Sequence, residues 1–532
     1  MPETDDSPGH GGVRRVITAQ ALADEWTSVM AEPTDDLFDL LIVGGGINGV
    51  GIARDAAGRG LKVLLVEQAD LAAHTSSAST KLAHGGLRYL EQGELRLVRE
   101  SLTERAHLLA IAPHLVSRLE FVLPQSGSPR PAWLVRLGLL IYDALAGRRR
   151  LARSRAIELA GHSFGSGLRQ MRGRAFVYYD CRVDDSRLVV LNALDAAERG
   201  AEVRTRTQLV RAERREGHWI TTLRGQAGDS GVRARVIVNA AGPWVAELFD
   251  RLERVHPRHR VRLVQGSHIV LPRLYEGEHA YVIQNPDGRV VFAIPFEREF
   301  TLVGTTDSPW RGPPEEATIG EAETSYLLDT VARTFSRRVS ASDIRWTYSG
   351  IRPLVEDGAT SASTVTRDYV LELDDSGRDG AALLSIFGGK LTTYRRLAER
   401  ALQRLAPLLP AMSEPWTDRS ALPGGDFAGG LEVYGASLVS RYSALPAPLL
   451  QRLARSYGNR AERLLAAART MGDLGEVFGA DLTQREVDYL VANEWAQSAE
   501  DILFRRSKLG LHVPDGTAAR LDAYLQSRLT AG

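Results

Sequence analysis

The sequence predicts an α/β fold with an α+β substrate part and a C-terminal helical domain, on three observations. Residues 37–67 run from an apolar stretch through a glycine turn and a helix-like segment to a second apolar stretch. Residues 261–310 alternate apolar and polar positions with interspersed aromatics, the period of an antiparallel sheet. Beyond Pro423-Gly424-Gly425 the glycine motifs stop, and residues 430–530 are rich in Ala, Leu, Arg and Glu. These shifts divide the chain into an N-terminal extension (1–35), two interleaved parts (36–425, with the antiparallel sheet at about 261–370) and a helical domain (426–532).

Each part of the first motif has a physical job. Leu37 to Val43 forms a strand, Gly44-Gly45-Gly46-Ile47-Asn48-Gly49 turns into a helix, and Val63 to Val66 forms the next strand, closed by Glu67. Gly44 permits the tight turn, Gly46 lets backbone N–H groups approach a pyrophosphate, and Gly49 lets the helix pack closely on the strand. The helix N-terminus offers free N–H donors and a positive dipole end to the anion. Glu67 can accept both ribose hydroxyls of an adenosine and disfavours a 2′-phosphate, so the unit is Rossmann-like and suits FAD or NAD better than NADP.

Residues 74–90, HTSSASTKLAHGGLRYL, separate those two cofactors. A nicotinamide domain runs on here into another regular βαβ unit. Instead Ser76, Ser77, Ser79 and Thr80 supply short donors that can wrap a flavin's pyrophosphate and ribityl chain. Farther on, a strand ends in Ala240-Ala241-Gly242-Pro243-Trp244, where small residues leave room for a pyrophosphate. Residues 383–402 repeat strand, glycine turn and helix, which returns the chain to the nucleotide part and sets Gly388, Gly389, Lys390, Leu391 and Thr392 beside the flavin ring.

Composition narrows the classes. Charge is balanced at 66 basic and 66 acidic residues, so nothing global indicates nucleic acid. The single cysteine, Cys181, excludes an intrachain disulfide framework and fits a reducing cytosol. The N-terminus has no apolar core of a secretory signal; residues 1–12 read as disordered and 15–30 as a short helix. No run reaches transmembrane length. Only four lysines occur against 62 arginines, which draws attention to Lys81 and Lys390, both within glycine-rich motifs. No His, Cys and carboxylate cluster has metal-ligand spacing, and no Ser-His-Asp order suggests a hydrolase.

A series of motifs resembles the FAD-dependent glycerol-3-phosphate dehydrogenase family, of the aerobic, quinone-linked type, within the D-amino-acid-oxidase-like flavoproteins. They are IVGGGINGVGIARDAAGRGLKVLLVE, TSSASTKLAHGGLRYLE, RPAWLVRLGLLIYD, YYDCRVDDSRLVV, NAAGPWV, GSHIV, VGTTD, WTYSGIRPL, TRDY and FGGKLTTYRRLAE, in order from about 37 to 425. EVDYLVANEWAQSAEDILFRRSKLGL resembles the family's C-terminal helical domain; the extension before residue 36 departs from shorter members.

The resemblance implies oxidation of sn-glycerol 3-phosphate to dihydroxyacetone phosphate, with hydride passing from C2 to flavin N5 and electrons on to a membrane quinone. It implies FAD held by Gly44, Gly46, Asn48, Gly49, Glu67, Thr75, Ser76, Ser77, Ser79, Lys81, Leu82, His84, Gly85, Val210, Ala241, Gly242, Trp244, Gly389, Lys390, Leu391 and Thr392. A phosphate dianion needs a cationic cradle, and Arg88, Arg352 and Arg367 lie in family motifs, with Tyr89 as an added hydroxyl donor. His268 is the favoured base for the C2 hydroxyl, and Lys390 the cation that steadies developing negative charge. Thr306 and Asp307 could position the ring or the substrate, or simply end a strand.

The competing readings are an oxidase that uses oxygen, on this or another small anionic substrate, a non-enzymatic flavoprotein, and an amine or amino-acid oxidase. Three arginine candidates favour a phosphate over the single carboxylate clamp of the last. The apolar strip from Trp133 to Tyr142, followed by Arg148-Arg149-Arg150, suits an interfacial helix on an anionic membrane surface. That places the chain in the cytoplasm, peripherally bound to the inner face of the cell membrane where a quinone is reached, and leaves a homodimer open.

Overall fold

The computed structural model describes residues 33–149, 151–356, 368–375 and 381–530. The sequence-based expectations for residues 1–30, Arg150 and Arg367 lie outside those residues. Two large sheets and a separate helical core make up the chain.

The first sheet has eight strands. Its centre is the parallel set Ala382–Phe387, Gly228–Asn239, Pro33–Val43, Val63–Val66 and Glu202–Arg204, in that order. The register sets Leu40–Val43 beside Val63–Val66 on one side and beside Val236–Asn239 on the other. These strands read as apolar runs because both faces are covered, as parallel strands require. The Ile47–Gly58, Asp185–Glu198 and Tyr394–Leu405 helices pack on one face around Ile42, Val50, Leu65, Leu191 and Leu402. An antiparallel pair, Gln208–Arg215 and His218–Gly225, brings Trp219 and Leu223 to the other.

The second sheet has ten strands and is almost wholly antiparallel. Val261–Pro272 is its hub, flanked by Phe300–Gly304 and Trp346–Val355. The sheet also recruits Val116–Pro124, Arg155–Glu158 and Arg174–Val183, so it extends well upstream of 261. The helical domain closes around Leu438, Leu453, Tyr457, Leu464, Leu490, Ile502 and Leu525, with one two-stranded ribbon, Val477–Gly479 with Leu482–Thr483.

Candidate active site

A cleft open to solvent lies at the C-terminal ends of the parallel strands. Gly44, Gly46, Glu67, Thr75, Ser76, Ala241, Gly242 and Trp244 line it, together with Gln208 and Leu209. This is where doubly wound sheets take ligands, because helix N-termini and strand ends converge there.

The glycines act as the spacing implies. Gly44 sits at φ +120°, and a Cβ there would lie 2.4 Å from the Ala240 carbonyl oxygen. A Cβ at Gly49 would lie 1.9 Å from the Gly44 carbonyl oxygen, so only glycine lets the helix rest on the turn. The helix beginning at Ile47 has no acid in its first turn; its first N–H donates to Ser76 Oγ at 3.0 Å. Helix terminus and hydroxyl loop are thereby joined. Gly242, at φ +56°, has open space where a side chain would stand. Glu67 Oε2 accepts from Gly45 N at 2.7 Å and Oε1 from Ala69 N at 2.8 Å. Burial pushes its carboxyl up, and these two bonds oppose the rise.

Asn48 donates to Gly388 O at 3.1 Å, while its Oδ1 is buried with no hydrogen-bond partner. A Cβ at Gly389 would strike the Asn48 side chain at 2.8 Å. The two glycine turns therefore meet through Asn48. The open cradle, the acid-free helix terminus and the orphaned Oδ1 fit a dinucleotide with a ring at the Gly389 end. Val210 stands at a register shift in its strand, beside Gln208 and Leu209 of the cleft wall.

The hydroxyl loop divides its labour. Thr75 Oγ1 donates to Ile351 O at 2.7 Å and Ser77 Oγ to His74 O at 3.1 Å. Ser79 and Lys81 have a job the sequence reading did not give them. Ser79 Oγ donates to Asp185 Oδ2 at 2.7 Å, and the buried Lys81 ammonium sits 2.9 Å from both Asp185 oxygens. They anchor the loop to the Asp185–Glu198 helix. Leu82 enters the second sheet opposite Arg182, and the His84 backbone N–H donates to Thr392 Oγ1 at 3.4 Å. Gly85 N donates to Tyr142 Oη at 2.8 Å. Leu391 and Thr392 occupy a single turn of 3₁₀ helix ahead of the Tyr394–Leu405 helix. Trp244 packs edge-on against His74, ring centroids 4.5 Å apart.

The reacting end is built from the second sheet. Arg352 pairs with Asp307 and donates to Thr305 Oγ1 at 3.1 Å. Gly266 makes room, since a Cβ there would lie 2.3 Å from Arg352 Nη2. Asp307 thus positions Arg352, whereas Thr306 accepts from Ser267 N at 2.9 Å and holds the sheet. His268 lies opposite Gly304, where a Cβ would meet its ring at 2.2 Å, and stacks on Tyr348 at 4.8 Å. Its Nε2 is 3.0 Å from Thr80 Oγ1, and Nδ1 has no hydrogen-bond partner. Burial, and then Arg352 and Lys81, hold His268 well below the ordinary histidine range, so the ring is neutral. Lys390 Nζ stands 3.7 Å from the centre of the Tyr89 ring. A Cβ at Gly388 would approach Pro353 O at 3.6 Å, so this turn borders the strand carrying Arg352. Arg88 is half-buried in the 3₁₀ turn Leu87–Gln92 with Tyr89.

Thr80, Thr305, Asp307 and Asp185 complete the site; the sequence offered Thr80 as a flavin donor and Asp307 as a positioning or strand-end residue, and gave Thr305 and Asp185 no role. Their partners lie 188, 47, 45 and 104 residues away, beyond any local pattern.

Three buried histidines make the fold acid-sensitive. Burial lowers His114 to about 3 and His279 to about 4, and His268 lies well below its usual value. Below about pH 6.5 the unfolded chain binds these protons and the folded chain does not, so stability rises with pH and is lost on acidification. His114 and His279 each contribute about 2 kcal/mol of loss by pH 5, and His268 acts in the same direction. Urea midpoints at pH 7 and pH 5 check this; equal midpoints would contradict it.

A family profile described as FAD dependent oxidoreductase matches residues 39–395, and one described as C-terminal domain of alpha-glycerophosphate oxidase matches 415–526. The chain is 52% identical over 497 residues to a glycerol-3-phosphate dehydrogenase of Pseudomonas aeruginosa, covering 93% of this chain and 96% of that protein. It is 48% identical to a D-erythritol 1-phosphate dehydrogenase of Brucella abortus, covering 92% and 97%. The crystal structure of a Bacillus halodurans glycerol-3-phosphate dehydrogenase complexed with FAD superposes with a TM-score of 0.71 at 25% identity, over 95% of this chain and 97% of that one. The glycine cradle and the two matched domains converge on one conclusion: the cofactor is FAD, and the chain belongs to the glycerol-3-phosphate dehydrogenase family of FAD-dependent oxidoreductases.

Proposed function

We propose that the chain oxidises sn-glycerol 3-phosphate to dihydroxyacetone phosphate and delivers the electrons to a membrane quinone. The observation that carries the substrate reading is Arg352, fixed by Asp307 and Thr305 beside a neutral, buried His268. Asp307 and Thr305 hold the guanidinium through Nη1 and Nη2, and a fixed planar arginine is the cation best matched to a phosphate dianion. Lys390, the half-buried Arg88 and Tyr89 add charge and a hydroxyl at the neighbouring turn. When bound, FAD supplies the hydride acceptor, its N5. The protein's part is to orient C2, exclude water and take the C2 hydroxyl proton on His268. In the tautomer whose Nε2–H donates to Thr80, Nδ1 carries the lone pair for this step. Lys390 steadies the negative charge that develops as the proton leaves.

The quinone reading is supported by the helix Ala132–Ala146. Trp133, Leu134, Leu137, Leu140 and Ile141 form one apolar face in solvent, with Trp133 69% exposed. Such a contiguous face marks a membrane or partner surface. Tyr142, grouped with this strip from sequence, instead points inward and donates to Asp180 Oδ2 at 2.7 Å. Arg148 and Arg149 follow, exposed, and each adds about 1 kcal/mol of attraction near anionic lipid. No helix among the described residues is long and apolar enough to cross a membrane; the association we propose is peripheral, on the cytoplasmic face, and rests on the apolar face and the arginines.

Flotation with anionic liposomes tests this. Binding should fall with salt, and the triple change Trp133→Ser, Leu137→Ser, Ile141→Ser should abolish it, leaving turnover with a soluble quinone analogue unchanged. A protein that stays off anionic liposomes at low salt and reduces oxygen as fast as any quinone analogue would replace this reading with the oxidase one.

A further inference from the structure

The helical domain grips a buried carboxylate at the edge of the cofactor cleft. Asp70 lies three residues beyond Glu67 and is 2% exposed. Its Oδ2 accepts from Arg505 Nε and Arg506 Nη1, each at 2.7 Å, and its Oδ1 accepts from Arg506 Nη2 at 2.8 Å. Arg506 therefore grips Asp70 with its fork, and also donates to Glu494 O at 2.6 Å inside the helical domain. Arg206, from the segment beside the cleft, stands 3.5 Å from Asp70 and 2.5 Å from Asp501. Arg505 and Arg506 are adjacent in a π-helical turn, Asp501–Arg506, a widened geometry that recurs at functional sites.

The backbone carries this grip to the cleft. Ala69, next to Asp70, donates its N–H to Glu67 Oε1 at 2.8 Å, one of two bonds that aim that carboxylate. Arg206 N donates to Ala69 O at 3.0 Å and Thr207 N to Glu67 O at 2.8 Å. A shift of Asp70 displaces the Ala69 N–H and, with it, Glu67.

We infer that Arg505 and Arg506 of the helical domain are positioning residues for FAD: by fixing Asp70 they aim Glu67 and set the affinity for the cofactor's adenosine end. The inference rests on Glu67 taking the adenosine ribose and is independent of what the enzyme oxidises.

The test is a double-mutant cycle on FAD binding to apoprotein, read by flavin fluorescence. Arg506→Lys keeps the charge and loses the fork. It should raise the Kd for FAD by tenfold or more, leave turnover at saturating FAD unchanged, and add less than threefold in a Glu67→Ala background. Asp70→Asn should behave alike and serves if Arg506→Lys does not fold. Arg452→Lys is the control for plain loss of stability, because among the described residues Arg452 pairs with Asp481 and Glu486 inside the helical domain; its Kd should match wild type. An unchanged Kd in the Asp70 and Arg506 variants, or equal losses with and without Glu67, overturns the inference. If Glu67→Ala alone leaves the Kd unchanged, the ribose assignment fails and the inference with it.

Discussion

An Arg352→Ala variant is expected to lose roughly 30-fold to several thousand-fold in kcat/KM for glycerol 3-phosphate, about 2–5 kcal/mol. The size follows from the environment. Arg352 is largely buried, so its phosphate contact forms where water screens little. Its removal also takes the Arg352 cation from Asp307, a carboxylate beside the incoming dianion, which adds repulsion to the lost attraction. Arg352→Lys should suffer as well, since an ammonium cannot bond Asp307, Thr305 and a phosphate as a planar fork. Steady-state constants with glycerol 3-phosphate check both variants, and wild-type constants for the alanine variant would refute the assignment.

His268→Ala is expected to lower kcat by about 10² to 10⁴ with a much smaller change in KM, because the ring takes a proton and is not asked to bind phosphate. The pH behaviour is the sharper test. Burial, reinforced by Arg352 and Lys81, keeps His268 neutral well below the usual histidine range. The wild-type rate should therefore hold as pH falls through about 6.5, where an ordinary exposed histidine becomes half protonated. The alanine variant should recover part of its turnover at high pH, where hydroxide replaces the base. A variant profile that overlays the wild type would remove His268 from this role.

The two predictions draw on parts of the molecule that the sequence disclosed unequally. The cleft was legible because its signals are local. Gly49 is demanded by the Gly44 carbonyl within the same turn, Gly44 by its own φ of +120°, and the buried parallel strands read as unbroken apolar runs. The C-terminal core was legible as a change in composition. Less of the second sheet could be read. Val116–Pro124 pairs in parallel with Ala280–Gln284 across more than 150 residues, and its Ser117, Arg118 and Glu120 blur the alternation that marks a strand. Motif membership singled out Arg352 and His268, but their supports depend on antiparallel register, which turns and packing decide. Ser79 and Lys81 show the converse: the loop was recognised, but not that Asp185, at a helix start 104 residues on, would claim both side chains. Tyr142 sits on an apolar helix, and only the fold reveals which face it takes.

The central claim is that this FAD site oxidises glycerol 3-phosphate, and anaerobic titration of the purified holoenzyme tests it most directly. The protein should carry oxidised flavin. Its visible absorbance should bleach on addition of sn-glycerol 3-phosphate, with one equivalent of dihydroxyacetone phosphate formed per flavin, and return when a quinone analogue is added. Amino acids should leave it oxidised. A flavin that stays oxidised with glycerol 3-phosphate but bleaches with an amino acid or with erythritol 1-phosphate alone would contradict the account.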